Sequence, residues 1–263
     1  MHRRSVSSDP QRHGLAPPAF ALSAIPNQSG KTVLIFCGTN TANLPLAASI
    51  CTRLALAGAA VFLCCREKQA GIQHIITLRE RVPGAQANLI VFDAADARQA
   101  GQTCAMIVER LERVDLVVAV GMEKVEVLQM AMARLIPVLS KLGGEGARVV
   151  LVSEGTGSDV EFDGMRLSPP EATCLVMAGL NDRFATKGVH ANAVIQKRES
   201  NAISRFLFGL DDDQRSLAAL YAATAADVGG KCIVPFGAVS DSFPVDKAIA
   251  DLLWDWCERQ TCE

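Results

Sequence analysis

Along this chain, short unbroken apolar runs alternate with stretches in which apolar residues recur every three or four positions. The first such unit is the clearest. Lys31-Thr-Val-Leu-Ile-Phe-Cys37 is β-branched and apolar and stops at Gly38, and Ala59-Ala-Val-Phe-Leu-Cys-Cys65 is a second run that stops at Arg66. Between them Leu46, Ile50, Leu54 and Ala57 or Gly58 keep helical spacing, with Thr52 and Arg53 at polar positions. The pattern predicts strand, turn, helix and strand. Fully apolar strands around a helix predict a parallel sheet covered on both faces, with ligands bound beyond the carboxyl ends of the strands.

The same rhythm continues. Ile72, Ile75, Ile76 and Leu78 predict a helix that ends before Pro83-Gly84, and Ala87 to Asp93 predicts a third strand. A helix over Thr103–Leu111, a strand over Val114–Gly121 and a long helix marked by Val127, Met130, Ala131, Leu135 and Val138 follow, the last closed by Gly143-Gly144. Strands at Ala147–Ser153 and Gly188–Ile195 flank a helix over Glu171–Phe184. Asp211, Asp212 and Asp213 read as a cap and first-turn acids for a helix to about Ala226, or more sharply as a metal site. Gly229 to Phe236 predicts a turn and a last short strand. Val245, Ile249, Leu252, Leu253 and Trp256 then form one apolar stripe that packs on the sheet or on another subunit. The expected fold class is α/β: a doubly wound parallel sheet in a three-layer α/β/α single domain over residues 31–263, preceded by a leader at 1–30.

Composition narrows the function classes. With 263 residues, 49% of them hydrophobic, and a formal charge of −2, the chain has the material for one α/β domain and no basic stripe for nucleic acid. No apolar stretch reaches membrane-spanning length, so a soluble, cytoplasmic protein without a membrane partner is expected. Arg3, Arg4 and Arg12 against Asp9 fit either a disordered tail or an organelle transit peptide. Of nine cysteines, Cys37, Cys64, Cys65 and Cys232 fall in strand runs and Cys51 and Cys104 in helix patterns, where a reduced thiol acts as a small hydrophobe. Cys257 and Cys262 lack histidine partners for zinc, and no metal is expected.

In order and spacing, several phrases resemble the short-chain dehydrogenase/reductase family, in particular its retinol-dehydrogenase-like branch. Gly38 stands at the first glycine of that family's nucleotide turn, Gly58-Ala-Ala-Val61 through Arg66 matches the second strand, and Asp93 ends the third. Val114-Asp-Leu-Val-Val, Leu135-Ile-Pro-Val-Leu139, Arg148-Val-Val-Leu-Val-Ser153 and Lys187-Gly-Val-His-Ala-Asn-Ala-Val194 continue the match, and Gly230-Lys231, Pro235 and Leu253-Trp254 resemble the branch's end. The resemblance implies a Rossmann-like fold, an NADP cofactor held by Gly38, Thr39, Asn40, Arg66, Asp93 and Gly121, and a homo- or hetero-oligomer. Arg66 suits an adenosine 2′-phosphate; it reads equally well as a solvated charge at a strand end.

The chemistry departs from the pattern. The family uses a Tyr and a Lys four residues later for proton transfer, with a Ser and an Asn. Counting along the chain puts Arg166 and Pro170 at the Tyr and Lys positions, while the single tyrosine is Tyr221 and no lysine lies between Lys141 and Lys187. No Asn occurs between Asn88 and Asn181. Ser153 remains as the catalytic candidate, with Glu154 beside it as an alternative occupant. The turn Gly38-Thr-Asn-Thr-Ala-Asn-Leu-Pro-Leu-Ala47 keeps one glycine of three and is longer, with Pro45 and Ala47 near the other two. The expectation is a divergent, catalytically impaired member: a scaffold, a partner subunit or an NADP(H) sensor. The alternative is an NADP-dependent oxidoreductase of a small apolar carbonyl or alcohol. A third reading uses Glu154, Arg166 or His190 for other chemistry.

Overall fold

The computed structural model describes residues 20–139, 141, 146–155, 158–196, 212–225, 228–234, 238–239 and 245–261. The elements run β1 (Thr32–Cys37), α1 (Leu44–Leu56), β2 (Ala60–Cys65), α2 (Lys68–Arg81), β3 (Ala87–Val91), α3 (Ala97–Arg110), β4 (Leu116–Val120) and α4 (Val125–Leu139). There follow β5 (Ala147–Ser153), the short strands β6 (Val160–Phe162) and β7 (Met165–Leu167), α5 (Pro169–Phe184), β8 (Val189–Ile195), α6 (Asp212–Thr224), β9 (Cys232–Val234), β10 (Ala238–Val239) and α7 (Lys247–Thr261). One sheet has the order β10-β9-β8-β5-β4-β1-β2-β3, parallel except for β10. This is the doubly wound α/β fold that the hydrophobic rhythm predicts, with one antiparallel edge strand added.

The unbroken apolar runs have a direct cause. Successive side chains of a strand point to opposite faces, and both faces here are covered. Leu34 and Phe36 of β1 enter one core with α3, α4, α5 and α7. Val33, Ile35 and Cys37 enter the other with α1, α2 and α6. Phe36 meets Phe92 edge-on, ring centroids 4.7 Å apart. At the amino ends of β1 and β4, buried Asp115 accepts from the Thr32 amide (2.8 Å) and from Arg113 (3.1 Å), while its own amide donates to the Thr32 carbonyl (2.9 Å).

Three expectations change. Of the leader, residues 1–19 lie outside the described residues, but 20–30 are packed on the domain. The Phe20 ring is buried against Tyr221 of α6 (5.5 Å), and the Gln28 amide donates to Ala57 (2.7 Å). Second, β6 and β7 form an antiparallel hairpin that the periodicity does not predict. Third, the buried stripe of α7 is Ala250, Leu253, Trp254 and Cys257; Val245 and Leu252 are exposed. This stripe faces α4 and α5 within the chain, and Gly179 of α5 makes room for it: a Cβ there would lie 2.7 Å from the Trp254 ring. The acids Asp212 and Asp213 lie in the first turn of α6, as expected, and also dock it. Asp213 accepts from Ser49 (2.8 Å) and pairs with Arg53, both on α1, which holds the Asp213 carboxyl below its ordinary range. Asp211, Gly143, Gly144 and Cys262 lie outside the described residues. The eight described cysteines are free and buried.

Candidate functional site

Parallel strands deliver their carboxyl ends to one edge, and there the candidate cofactor residues converge. Gly38, Arg66, Asp93 and Gly121 follow β1, β2, β3 and β4, adjacent strands of the sheet. The Gly38 amide donates to Val120 (2.8 Å), and a Cβ at this position would lie 1.8 Å from the Gly121 carbonyl oxygen, so only glycine fits. Beyond Thr39 the chain forms a 3-10 turn, Thr41–Asn43, which runs into α1. The Asn40 side chain accepts from the Ala42 amide (3.0 Å) and the Asn40 carbonyl from the Asn43 amide (2.9 Å). The Leu44 amide donates to the Thr41 carbonyl, and Pro45 has no amide hydrogen. From Ala42 to Pro45, each backbone donor is thus committed or missing.

Asn43 closes the crevice between β1 and β4. It is buried, its Nδ2 donates to the Gly121 carbonyl at 3.3 Å, and its Oδ1 is buried without a partner. Gly121 takes a left-handed conformation (φ +60°), and a Cβ on it would lie 1.9 Å from the Asn43 amide nitrogen. On the other side of β1, Arg66 donates through Nε (3.1 Å) and Nη2 (3.0 Å) to one oxygen of its neighbour Glu67. Asp93 accepts from the Ala95 amide at 2.8 Å.

Beyond β4 and β5 lies a cavity of about 20 Å³, lined by Gly121, Met122, Ser153, Glu154, Pro169 and Thr173 among others. That volume holds one water. Ser153 is buried; its Oγ accepts from the Gly155 amide at 3.5 Å, and its carbonyl from the Gln196 amide at 2.8 Å. Glu154 is buried and ion-paired with Arg215 of α6, which also donates to Asp212 (2.8 Å). Gln196 donates to the Arg215 carbonyl (2.6 Å), while its Oε1 is buried without a partner.

Arg166 is not in this cavity. It projects from β7 into solvent, with 70% of its side chain exposed, and pairs with Asp159 at 2.6 Å. Pro170 sits in the first turn of α5 without lining the cavity; the residues of that helix that do so are Pro169, Ala172 and Thr173. Pro169 and Thr173 carry the four-residue spacing, three positions later than the count along the chain, and the Thr173 hydroxyl donates to the Pro169 carbonyl (2.8 Å). A Ser168–Glu171 capping box sets the start of this helix. His190 is exposed near the amino end of β8, beside Gly146 and away from the cavity. Sequence reasoning missed Thr173 and Arg215. Among the described residues no three His, Cys, Asp or Glu side chains converge as metal ligands would, and no described helix is long and apolar enough to cross a membrane.

A model of the short chain dehydrogenase family matches residues 34–155, from β1 to the cavity edge after β5. Solved structures share the architecture. An uncharacterized protein from Mycobacterium paratuberculosis superposes with a TM-score of 0.69 at 19% identity, over 92% of this chain and 97% of that one. A hydroxysteroid dehydrogenase from Escherichia coli gives 0.61 at 16% identity, over 81% and 98%. The Pseudomonas aeruginosa RhlG/NADP active-site complex gives 0.58 at 16%, over 80% and 96%. At these identities the likeness is one of fold. No curated protein matches the chain.

Proposed function

We infer, from the match over residues 34–155 and the strand order, that the chain belongs to the short-chain dehydrogenase family, and we propose that it is a catalytically impaired member serving as a scaffold or partner subunit. The observation that carries this reading is the closed turn after β1. A dinucleotide pyrophosphate is held by free backbone amides at a helix start. Here the Ala42, Asn43 and Leu44 amides are bonded within the turn, Pro45 offers none, and Asn43 fills the space beside Gly121. In this arrangement those positions offer no free amide to an NADP pyrophosphate. The cavity lining supports the same reading. Pro169 has no titratable group and the Thr173 hydroxyl is engaged with Pro169, so neither supplies the phenol and ammonium pair that family chemistry uses. Within the family, Gly58-Ala-Ala-Val61 and the Leu253-Trp254 helix favour the retinol-dehydrogenase-like branch.

A second reading, an NADP(H) sensor or a reductase of a small apolar carbonyl using Ser153, is favoured by Arg66 and Asp93 at the ends of β2 and β3. It requires Asn43 to leave the crevice and Arg66 to release Glu67. Calorimetric titration with NADPH and with NADH separates the two. The scaffold reading expects no binding up to millimolar cofactor. Micromolar binding without turnover of aldehydes, ketones or alcohols would replace it with the sensor. Turnover abolished by Ser153→Ala would establish the reductase.

A further inference from the structure

The cysteines of this chain fall into two chemical groups. Burial pushes the thiols of Cys37, Cys51, Cys104 and Cys257 up to about 12, that of Cys65 up to about 11, and that of Cys64 well above the ordinary range. Such thiols stay protonated and inert. Cys174 of α5 and Cys232 of β9 differ, because they face each other. Their sulfurs are 3.7 Å apart, and Cys174 donates its hydrogen to Cys232. That bond lowers the Cys232 thiol and raises the Cys174 thiol. The two residues lie far apart in sequence and meet across the packing of α5 on the sheet.

We propose that Cys174 and Cys232 form a peroxide-responsive thiol pair that closes to a disulfide and ties α5 to β9. The sulfurs, 3.7 Å apart, are in van der Waals contact, and a disulfide would bring them to about 2.05 Å. The pair lies beside a groove that neither sulfur lines. Met177, Ala178 and Asn181, on the Cys174 face of α5, line an open groove of about 430 Å³ together with Gly230, two residues before Cys232. Both sulfurs are nearly buried, Cys174 at 2% and Cys232 at 7% exposure, so a small oxidant is favoured over a protein one.

The chemistry balances. The Cys232 thiolate attacks one oxygen of hydrogen peroxide, the O–O bond breaks, water leaves after protonation, and Cys232 becomes a sulfenic acid. The Cys174 sulfur then attacks the Cys232 sulfur, the S–O bond breaks, and the departing hydroxide leaves as water with the Cys174 proton. Two thiols lose two electrons and two protons, and one peroxide becomes two waters.

The test is a cysteine map of the full chain after exposure to hydrogen peroxide. The expected result is one joined peptide containing Cys174 and Cys232, a mass lower by two hydrogens, and full reversal by dithiothreitol. In Cys174→Ser the disulfide is lost and Cys232 takes up dimedone as its sulfenic acid. In Cys232→Ser, Cys174 stays reduced. Full alkylation of both residues in the oxidised wild type, or a first cross-link between other cysteines, would overturn the proposal. The wild-type map decides this without either variant.

Discussion

Asp115, before β4 at the amino end of the sheet, and Asn43, after β1 at its carboxyl end, are both buried polar side chains, and their surroundings treat them in opposite ways. Each Asp115 oxygen has a donor, one from the Thr32 amide and one from Arg113. Asn43 has one long bond to Gly121 and an oxygen with no partner, and the Gln196 amide oxygen, also at the carboxyl end, is in the same position. An unmet buried acceptor costs about 1–3 kcal/mol, whereas a satisfied one adds a modest net gain. The amino end is therefore built for stability. The carboxyl end of the same sheet tolerates unmet groups, as functional edges of folds commonly do.

Substitutions can break or sharpen this contrast. The largest loss is expected for Gly38→Ala, because its Cβ would meet a backbone oxygen 1.8 Å away and neither strand can yield. Thermal unfolding should show a destabilisation of about 3 kcal/mol or more. Next is Asp115→Ala, which strands the Thr32 amide and frees Arg113; urea titration should lose about 2 kcal/mol. The smallest effect is expected for Asn43→Ala, within about 1 kcal/mol of wild type, since the lost bond to Gly121 is offset by removal of an unmet oxygen. If Asn43→Ala costs as much as Asp115→Ala, the two ends are alike and the contrast fails.

The sheet was legible in the chain because strands buried on both faces are written as continuous apolar runs, and because Gly38 and Gly58 punctuate them. Smaller elements were less visible. β6 and β7 have three residues each, too few to show a period, although Asp163-Gly164 between them is a hairpin signal, and both take positive φ (45° and 76°). That hairpin also explains the displaced count. It occupies the interval between β5 and α5 and carries Arg166 out to solvent, leaving Pro169 and Thr173 to face the cavity. Phe20 was hidden among prolines, and its contact with Tyr221, together with the bond from Gln28 to Ala57, shows that residues 20–30 pack on the domain. The strand-end positions of the candidates Gly38, Arg66, Asp93, Gly121 and Ser153 were legible strand by strand. The closure of the site was not. The Asn43–Gly121 contact joins residues 78 apart, and no local pattern announces which side chain will fill a gap between two strand ends.

The seat of α7 has a practical consequence. Both tryptophans of the chain, Trp254 and Trp256, belong to this helix, which follows in sequence the α4 and α5 surface that it covers. During synthesis that surface stays open until the helix emerges, and the slot over Gly179 is filled after the sheet from β1 to β5 has been made. Tryptophan fluorescence therefore reports the arrival of one late helix, while the signal from the sheet is silent to it, and the two together time the order in which this fold is completed.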